Sequence, residues 1–249
     1  MGYMGSKNGA GVYQAIINLM PPHDLYVEPF LGSGAVFDRK APAPKNILID
    51  KSEFCMQLQS VNGFPPSPIV KDIYDGSYIA GNGWDAGTID VNALPAVELL
   101  NVDALLWLSK FKPPSNTVIY CDPPYMHSTR TSNKRYEHEL TDEEHEELLT
   151  LLCSKDANVL LSGYRNELYE SMLQDWHSID FRAMTRGGVR TETVWCNYKP
   201  NEIHWHTYAG KDATERQRIK RKAERWRNNF AALPIAERQA VFNALLEVE

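Results

Sequence analysis

Cysteine is scarce in this 249-residue chain: Cys55, Cys121, Cys153 and Cys196 are the only four, and no two form a CxxC pair. That excludes a disulfide framework and a zinc knuckle and predicts reduced, mostly buried thiols. Long apolar runs are missing too, and nothing approaches the ~20 residues that a membrane-spanning helix needs. The N-terminus has no basic stretch leading into an apolar core, so no secretory signal is expected and the expected compartment is the cytoplasm. Met1 to Ser6 fits the loose N-myristoylation pattern, but that pattern is short and these residues have a better use, given below. His204-Trp205-His206 alternates two histidines without further ligands, so no metal is expected. There is no internal repeat. With 43% hydrophobic and 23% charged residues, disorder, collagen and coiled coil are excluded, and the chain is long enough to bury a substantial core.

The net charge of −6 would argue against a nucleic-acid partner if it were spread evenly. It is not. Lys211 to Arg227 holds eight basic residues against three acidic ones, so an acidic whole carries a strongly basic segment. Within it Ile219, Ala223, Trp226, Phe230 and Leu233 recur at helical spacing, which predicts an amphipathic helix, with a second short one after Pro234. A solvated helix face and a DNA-backbone contact both account for the bases, with Arg218, Arg221, Lys222 and Arg225 the candidates for phosphate.

Elsewhere short apolar runs alternate with helical patterns, which predicts an α/β fold with a seven-stranded, mostly parallel sheet and helices on both faces. The strands fall at Leu25 to Phe30, Asn46 to Asp50, Ala96 to Leu100, Thr117 to Cys121 and Asn158 to Gly163. A closing hairpin follows, Ser178 to Met184 and Glu192 to Tyr198, joined by Arg186-Gly187-Gly188-Val189-Arg190. Thr141-Asp142-Glu143-Glu144 reads as a capping box ahead of a helix that carries Leu148, Leu149 and Leu152 on one face. Prolines and glycines from Val61 to Gly87 mark a small irregular insertion, spanning about 56–95. Met126 to Leu140 reads as a mobile loop. The expected division is 1–210 as the main domain and 211–249 as a basic helical extension.

Two stretches carry chemistry. Val27-Glu28-Pro29-Phe30-Leu31-Gly32-Ser33-Gly34 ends a strand and is expected to turn into a helix, the place where an open sheet lets backbone pass close under a ligand. A tight turn without a ligand explains the glycines equally well. Asp50 ends the next strand, where an acid can accept both hydroxyls of a ribose; alone it reads better as a helix N-cap. The sharper signal is Asp122-Pro123-Pro124-Tyr125, directly after an apolar strand. Such a tetrapeptide arises by chance on the order of once per hundred chains of this length, given proline at about 5% of residues. Its residue types suit transfer to an exocyclic amine, a poor nucleophile because its lone pair is delocalised into the ring. The Asp122 carboxylate and a prolyl carbonyl such as that of Pro123 can hold both amino hydrogens. The prolines make the backbone stiff and remove competing N–H groups. Tyr125 offers a face for a base to stack on.

In this order, Tyr3-Met4-Gly5-Ser6-Lys7, Glu28 to Gly34 and Asp122 to Tyr125 resemble the Dam-like adenine-specific DNA methyltransferases of the D12 class, alpha group. Softer likenesses lie in Asn158 to Tyr169 and Thr193 to Tyr198, so the resemblance covers residues 3 to about 199. It implies a Rossmann-like methyltransferase fold, S-adenosylmethionine as methyl donor and an adenine flipped out of double-stranded DNA as acceptor. It implies donor contacts from Tyr3, Lys7, Glu28, Phe30, Gly32, Ser33 and Gly34, with Lys7 near the donor's methionine part or the target base. Asp50 would hold the ribose, and Asp103 would meet the donor's adenine amine, although Asp103 also suits an N-cap for the helix at Ala104. Asp122 to Tyr125 would form the target pocket, and Arg130, Lys134, Arg135 and Tyr136 in the following loop would meet the DNA. Recognition is expected from that loop and the 61–87 insertion, because Gly34 to Asp122 is too short for Dam's own recognition insertion. The rivals are transfer to another amine, namely cytosine N4, RNA adenine or a protein glutamine, and a binding protein that keeps the pocket without turnover. No obligate protein partner is expected.

Overall fold

A computed structural model of the chain describes residues 7, 9, 11–41, 43–53, 55, 97–129, 138–185, 188–200, 208–210 and 212–246. Expectations for the 56–95 insertion, for 130–137, for Arg186 and Gly187 and for 204–206 lie outside them. The chain divides into two compact units, 1–207 and 208–249.

The first unit runs α1 (Val12–Ile17), β1 (Leu25–Glu28), β2 (Lys45–Ile49), β3 (Val97–Leu100), α2 (Ala104–Lys110), β4 (Thr117–Cys121), α3 (Asp142–Cys153), β5 (Asn158–Gly163), α4 (Glu167–Met172), β6 (His177–Thr185) and β7 (Gly188–Cys196). Its strands form one sheet in the order β3-β2-β1-β4-β5-β7-β6. The first five are parallel, whereas β7 runs antiparallel to both β5 and β6. The α/β, seven-stranded and mostly parallel arrangement expected from the apolar runs is therefore present, as is the Rossmann-like order that the resemblance implied. Chain connection reverses between β1 and β4, so their carboxyl ends flank the crevice where doubly wound folds place ligands.

Every residue of β1 and β4 is buried, which is why these strands read as continuous apolar runs rather than alternations. On one face Val27, Ile49, Ile119 and Leu161 meet Leu108 of α2, Leu148 and Leu152 of α3 and Tyr169 of α4. The opposite-facing Tyr26, Leu48, Tyr120 and Leu160 are buried as well. Thr141 and Glu144 close the α3 capping box, with Thr141 N donating to Glu144 Oε2 at 2.7 Å and Glu144 N to Thr141 Oγ1 at 3.2 Å.

Two expectations are corrected. The glycine turn after β1 leads only to a single 3-10 turn at Phe37–Arg39; Pro42 and Pro44 follow closely and stop a helix from propagating. The hairpin strands are longer than expected, so Gly188, Val189 and Arg190 lie in β7 rather than in the turn. Cross-strand pairing continues as far as Thr185 and Gly188.

The second unit contains α5 (Ala213–Ala232) and α6 (Ile235–Leu246). Asp212 caps α5 by accepting from Glu215 N at 2.8 Å, and Pro234 separates the helices. The spacing of Ile219, Ala223, Trp226 and Phe230 gives the helix but not burial: no residue of α5 is buried, and Trp226 is 64% exposed.

Candidate active site

At the carboxyl end of β1 the chain turns sharply. Gly32 and Gly34 adopt φ of 53° and 67°, a left-handed conformation that costs a side-chain-bearing residue ~1–2 kcal/mol. The turn is tied to the neighbouring strand, since Leu31 N donates to Ile49 O at 2.9 Å and Gly32 N to Asp50 Oδ2 at 2.7 Å. Asp50 also accepts Ser52 N on Oδ1 at 2.8 Å. Both its oxygens thus brace loop backbone, the Cys55 thiol adds a third bond, and one of the carboxylate's roughly four lone-pair sites is left for a hydroxyl. Burial raises the Asp50 carboxyl above its ordinary value, against the lowering pull of the Ser52 and Gly32 N–H groups.

Asp103 is the N-cap of α2: its Oδ1 accepts Leu105 N and Leu106 N at 3.0 and 3.1 Å, and its Oδ2 meets Lys51 Nζ at 3.0 Å. The capping use that its position allowed is the one made here, yet the side chain also borders the crevice. That crevice takes in Lys7, Glu28, Phe30, Gly32, Ser33, Asp50, Asp103, Asp122, Pro123 and Pro124. Tyr3, Arg130, Lys134, Arg135 and Tyr136 lie outside the described residues. Arg218, Arg221, Lys222 and Arg225 are exposed on α5, in the second unit.

The lining is acidic. Glu28, Asp50, Asp103, Asp122, Glu139 and Glu144 stand against Lys7 and Lys51. Glu28 is buried and accepts the Tyr26 hydroxyl on Oε2 at 2.8 Å. Burial above all, with the neighbouring Asp122 charge adding to it, pushes its carboxyl to about 8. Glu28 is therefore largely protonated at neutral pH.

Asp122 leaves β4 toward this crevice. Lys7, 6% exposed, donates to Asp122 Oδ1 at 2.7 Å and to the Tyr125 hydroxyl at 2.5 Å. Burial raises the Asp122 carboxyl, and the Lys7 ammonium partly reverses the shift. The Tyr125 hydroxyl in turn donates to Glu192 Oε2 at 3.2 Å, and Lys7 Nζ lies 3.4 Å from the same oxygen. Lys7 Nζ also stands 4.9 Å from the Tyr125 ring centroid, and Tyr164 meets that ring edge-on at 4.6 Å.

The structure thus brings together Lys7, the glycine turn, Asp50, Asp103 and the Asp122 tetrapeptide. Sequence reasoning missed Glu192 and Tyr164. A signal for Glu192 existed: it shares a strand face with Val194 and Cys196, so a charge there points into apolar surroundings and needs a partner. Among the described residues, no helix is long and apolar enough to cross a membrane and no group of three or more His, Cys, Asp or Glu could hold a metal ion.

The model of the D12 class N6 adenine-specific DNA methyltransferase family matches residues 108–191. Those residues hold β4, the Asp122 tetrapeptide, β5, β6 and the start of β7. The match bears out the resemblance to that class; it supports a methyltransferase and implies S-adenosylmethionine as its cofactor. No curated protein matches the chain. Among solved structures, an S-adenosylmethionine-dependent methyltransferase from Agrobacterium tumefaciens is similar at 12% identity and a TM-score of 0.42, over 76% of this chain and 60% of that one. A dimethyladenosine transferase from Plasmodium falciparum is similar at 11% identity and a TM-score of 0.40, over 74% and 58%. The residues present fit the cofactor. The glycine turn admits close approach, Asp50 keeps acceptor capacity for a hydroxyl, and an excess of acids suits a ligand that carries a sulfonium cation.

Proposed function

We propose that the first unit methylates the N6 amine of an adenine flipped out of double-stranded DNA, giving N6-methyladenine at a specific sequence. The observation that carries this reading is the placement of Asp122, Pro123 and Pro124 at the carboxyl end of β4, on the wall of the crevice beside the β1 glycine turn, with Tyr125 buried behind them. Two acceptors on a stiff backbone thereby stand beside a cavity suited to a cationic donor.

Bound there, S-adenosylmethionine supplies a methyl group on a sulfonium sulfur, which the amine nitrogen takes with its lone pair while the C–S electrons stay on sulfur. The chain's own residues do the rest. Asp122 and a prolyl carbonyl hold the amino hydrogens and draw the nitrogen toward tetrahedral geometry. The proton then leaves the acidic methylammonium for solvent, so Asp122 need not be a strong base. The two carboxylates Asp122 and Glu192 against the single ammonium of Lys7 give the pocket a negative balance that favours the charge growing on nitrogen. Tyr164, half-exposed and backed edge-on by the buried Tyr125, supplies aromatic surface against which a flipped base is held, offsetting the few kcal/mol of unstacking.

Lys7, Glu28, Phe30, Gly32, Ser33, Gly34, Asp50 and Asp103 are assigned to the donor. Arg218, Arg221, Lys222 and Arg225 occupy one stripe of α5, at spacings of three, one and three, and are assigned to phosphates. Such an enzyme works on DNA in the cytoplasm. Incubation with methyl-labelled donor and separate samples of duplex DNA, RNA and protein tests the reading. Label in DNA supports it, and label only in RNA or protein overturns it.

A further inference from the structure

Glu192 has no part in the motifs that mark the pocket, yet it closes a chain of contacts within it. Asp122 Oδ1 takes a hydrogen bond from Lys7 Nζ, the same ammonium bonds the Tyr125 hydroxyl, and that hydroxyl donates to Glu192 Oε2 at 3.2 Å. Lys7 is also ion-paired directly with Glu192 at 3.4 Å. Lys7 and Glu192 are both buried, at 6% and 8% of side-chain exposure, so neither charge is compensated by bulk water.

The consequence concerns which cation Asp122 serves. If Asp122 were the only carboxylate beside Lys7, the ammonium would hold it permanently, and an incoming amine would compete with a full charge for the same oxygens. A second carboxylate weakens that hold, because Lys7, 2.7 Å from Asp122, shares its charge with Glu192 at 3.4 Å. Glu192 gives the ammonium a counter-ion that lies off the substrate's path, and by accepting from the Tyr125 hydroxyl it fixes how that ring stands. Its place is set by the sheet: β7 pairs with β5, with Gly163 opposite Thr193, next to Glu192 and at the carboxyl end of the strand beside β4.

We propose that Glu192 is a positioning residue for methyl transfer, acting as a second counter-ion of Lys7 and the acceptor of the Tyr125 hydroxyl so that Lys7 holds Asp122 less tightly and the acceptor amine can compete for it. This rests on the methyltransferase reading of the pocket.

The test measures kcat, KM for the acceptor, donor Kd by calorimetry and thermal midpoint for wild type, Glu192→Gln, Lys7→Met and the double variant. All are assayed on whichever amine the wild type methylates. Expected for Glu192→Gln is a kcat at least tenfold lower, with donor Kd within threefold and the fold kept. The double variant, which removes one charge of each sign and so protects folding, should be no slower than Lys7→Met alone, because Glu192 acts through Lys7. A Glu192→Gln kcat within threefold of wild type, or losses that multiply in the double variant, overturns the proposal. If the wild type methylates an amine other than DNA adenine, the functional reading fails while the same ratios still decide the role of Glu192.

Discussion

Replacing Asp122 by Asn keeps the side chain's shape and removes its charge. In the native pocket Asp122, Glu192 and Lys7 carry two negative charges and one positive, with Lys7 Nζ 2.7 Å from Asp122 and 3.4 Å from Glu192. The variant neutralises that excess. It also puts an amide NH2, a donor, where the acceptor amine must itself donate. Losing one preorganised group aimed at developing charge costs about 10²- to 10³-fold in kcat, or ~2.7–4 kcal/mol of transition-state stabilisation. Stability should suffer less. Breaking a buried pair costs ~3–5 kcal/mol when it strands a charge, but Glu192 still compensates Lys7, so the loss should stay well below that range. Donor affinity should hold within about threefold, because Gly32 and Asp50 brace the donor end of the crevice without Asp122. Turnover with labelled donor and calorimetric titration of the same preparation read the two effects separately. A donor Kd weakened tenfold, or a kcat within threefold of wild type, would show that Asp122 faces the donor rather than the amine.

Two further outcomes follow from other parts of the molecule. Glu28 is raised from 4.5 to about 8, so the folded state holds a proton that the unfolded chain releases. The stability this gives is complete below 4.5 and is lost as pH rises toward 8, by at most on the order of 4–5 kcal/mol at 1.36 kcal/mol per unit. The thermal midpoint should therefore fall between pH 5 and 8, and Glu28→Gln, which can still accept from Tyr26, should flatten the fall; equal slopes in both proteins would refute it. Replacing Arg218, Arg221, Lys222 and Arg225 by Ala should weaken DNA binding alike on all sequences and reduce the slope of log affinity against log salt by about two to four, at ~0.9 per phosphate contact. An unchanged slope would leave α5 a solvated face, and a changed sequence preference would make it the recognition element.

What could be read from the chain was what depends on local order. β1 and β4 are buried on both faces, so each announces itself as an unbroken apolar run, and the Asp122 tetrapeptide stands at a strand end by its position in sequence alone. The α3 capping box needed only Thr141 and Glu144, three residues apart. Illegible features depend on partners far away in sequence. Lys7 meets Asp122 across 115 positions and Glu192 meets Tyr125 across 67, and neither pairing leaves a periodic trace. Asp103 shows the opposite difficulty: one residue type in one place satisfies two readings, and only the backbone N–H groups of Leu105 and Leu106 reveal the cap. The helix expected after the glycine turn failed because strand-to-helix logic ignored the nearby prolines. In α5 the period specified a helix with an apolar face, and a 3.6-residue repeat leaves open what covers that face.

The central claim is that the pocket around Asp122 methylates the N6 amine of adenine in DNA. Mass spectrometry of nucleosides from duplex DNA incubated with the purified protein and S-adenosylmethionine, beside an Asp122→Ala control, tests it most directly. The account predicts N6-methyladenine from the wild type and none from the variant. N4-methylcytosine alone, or equal N6-methyladenine from both proteins, would contradict it.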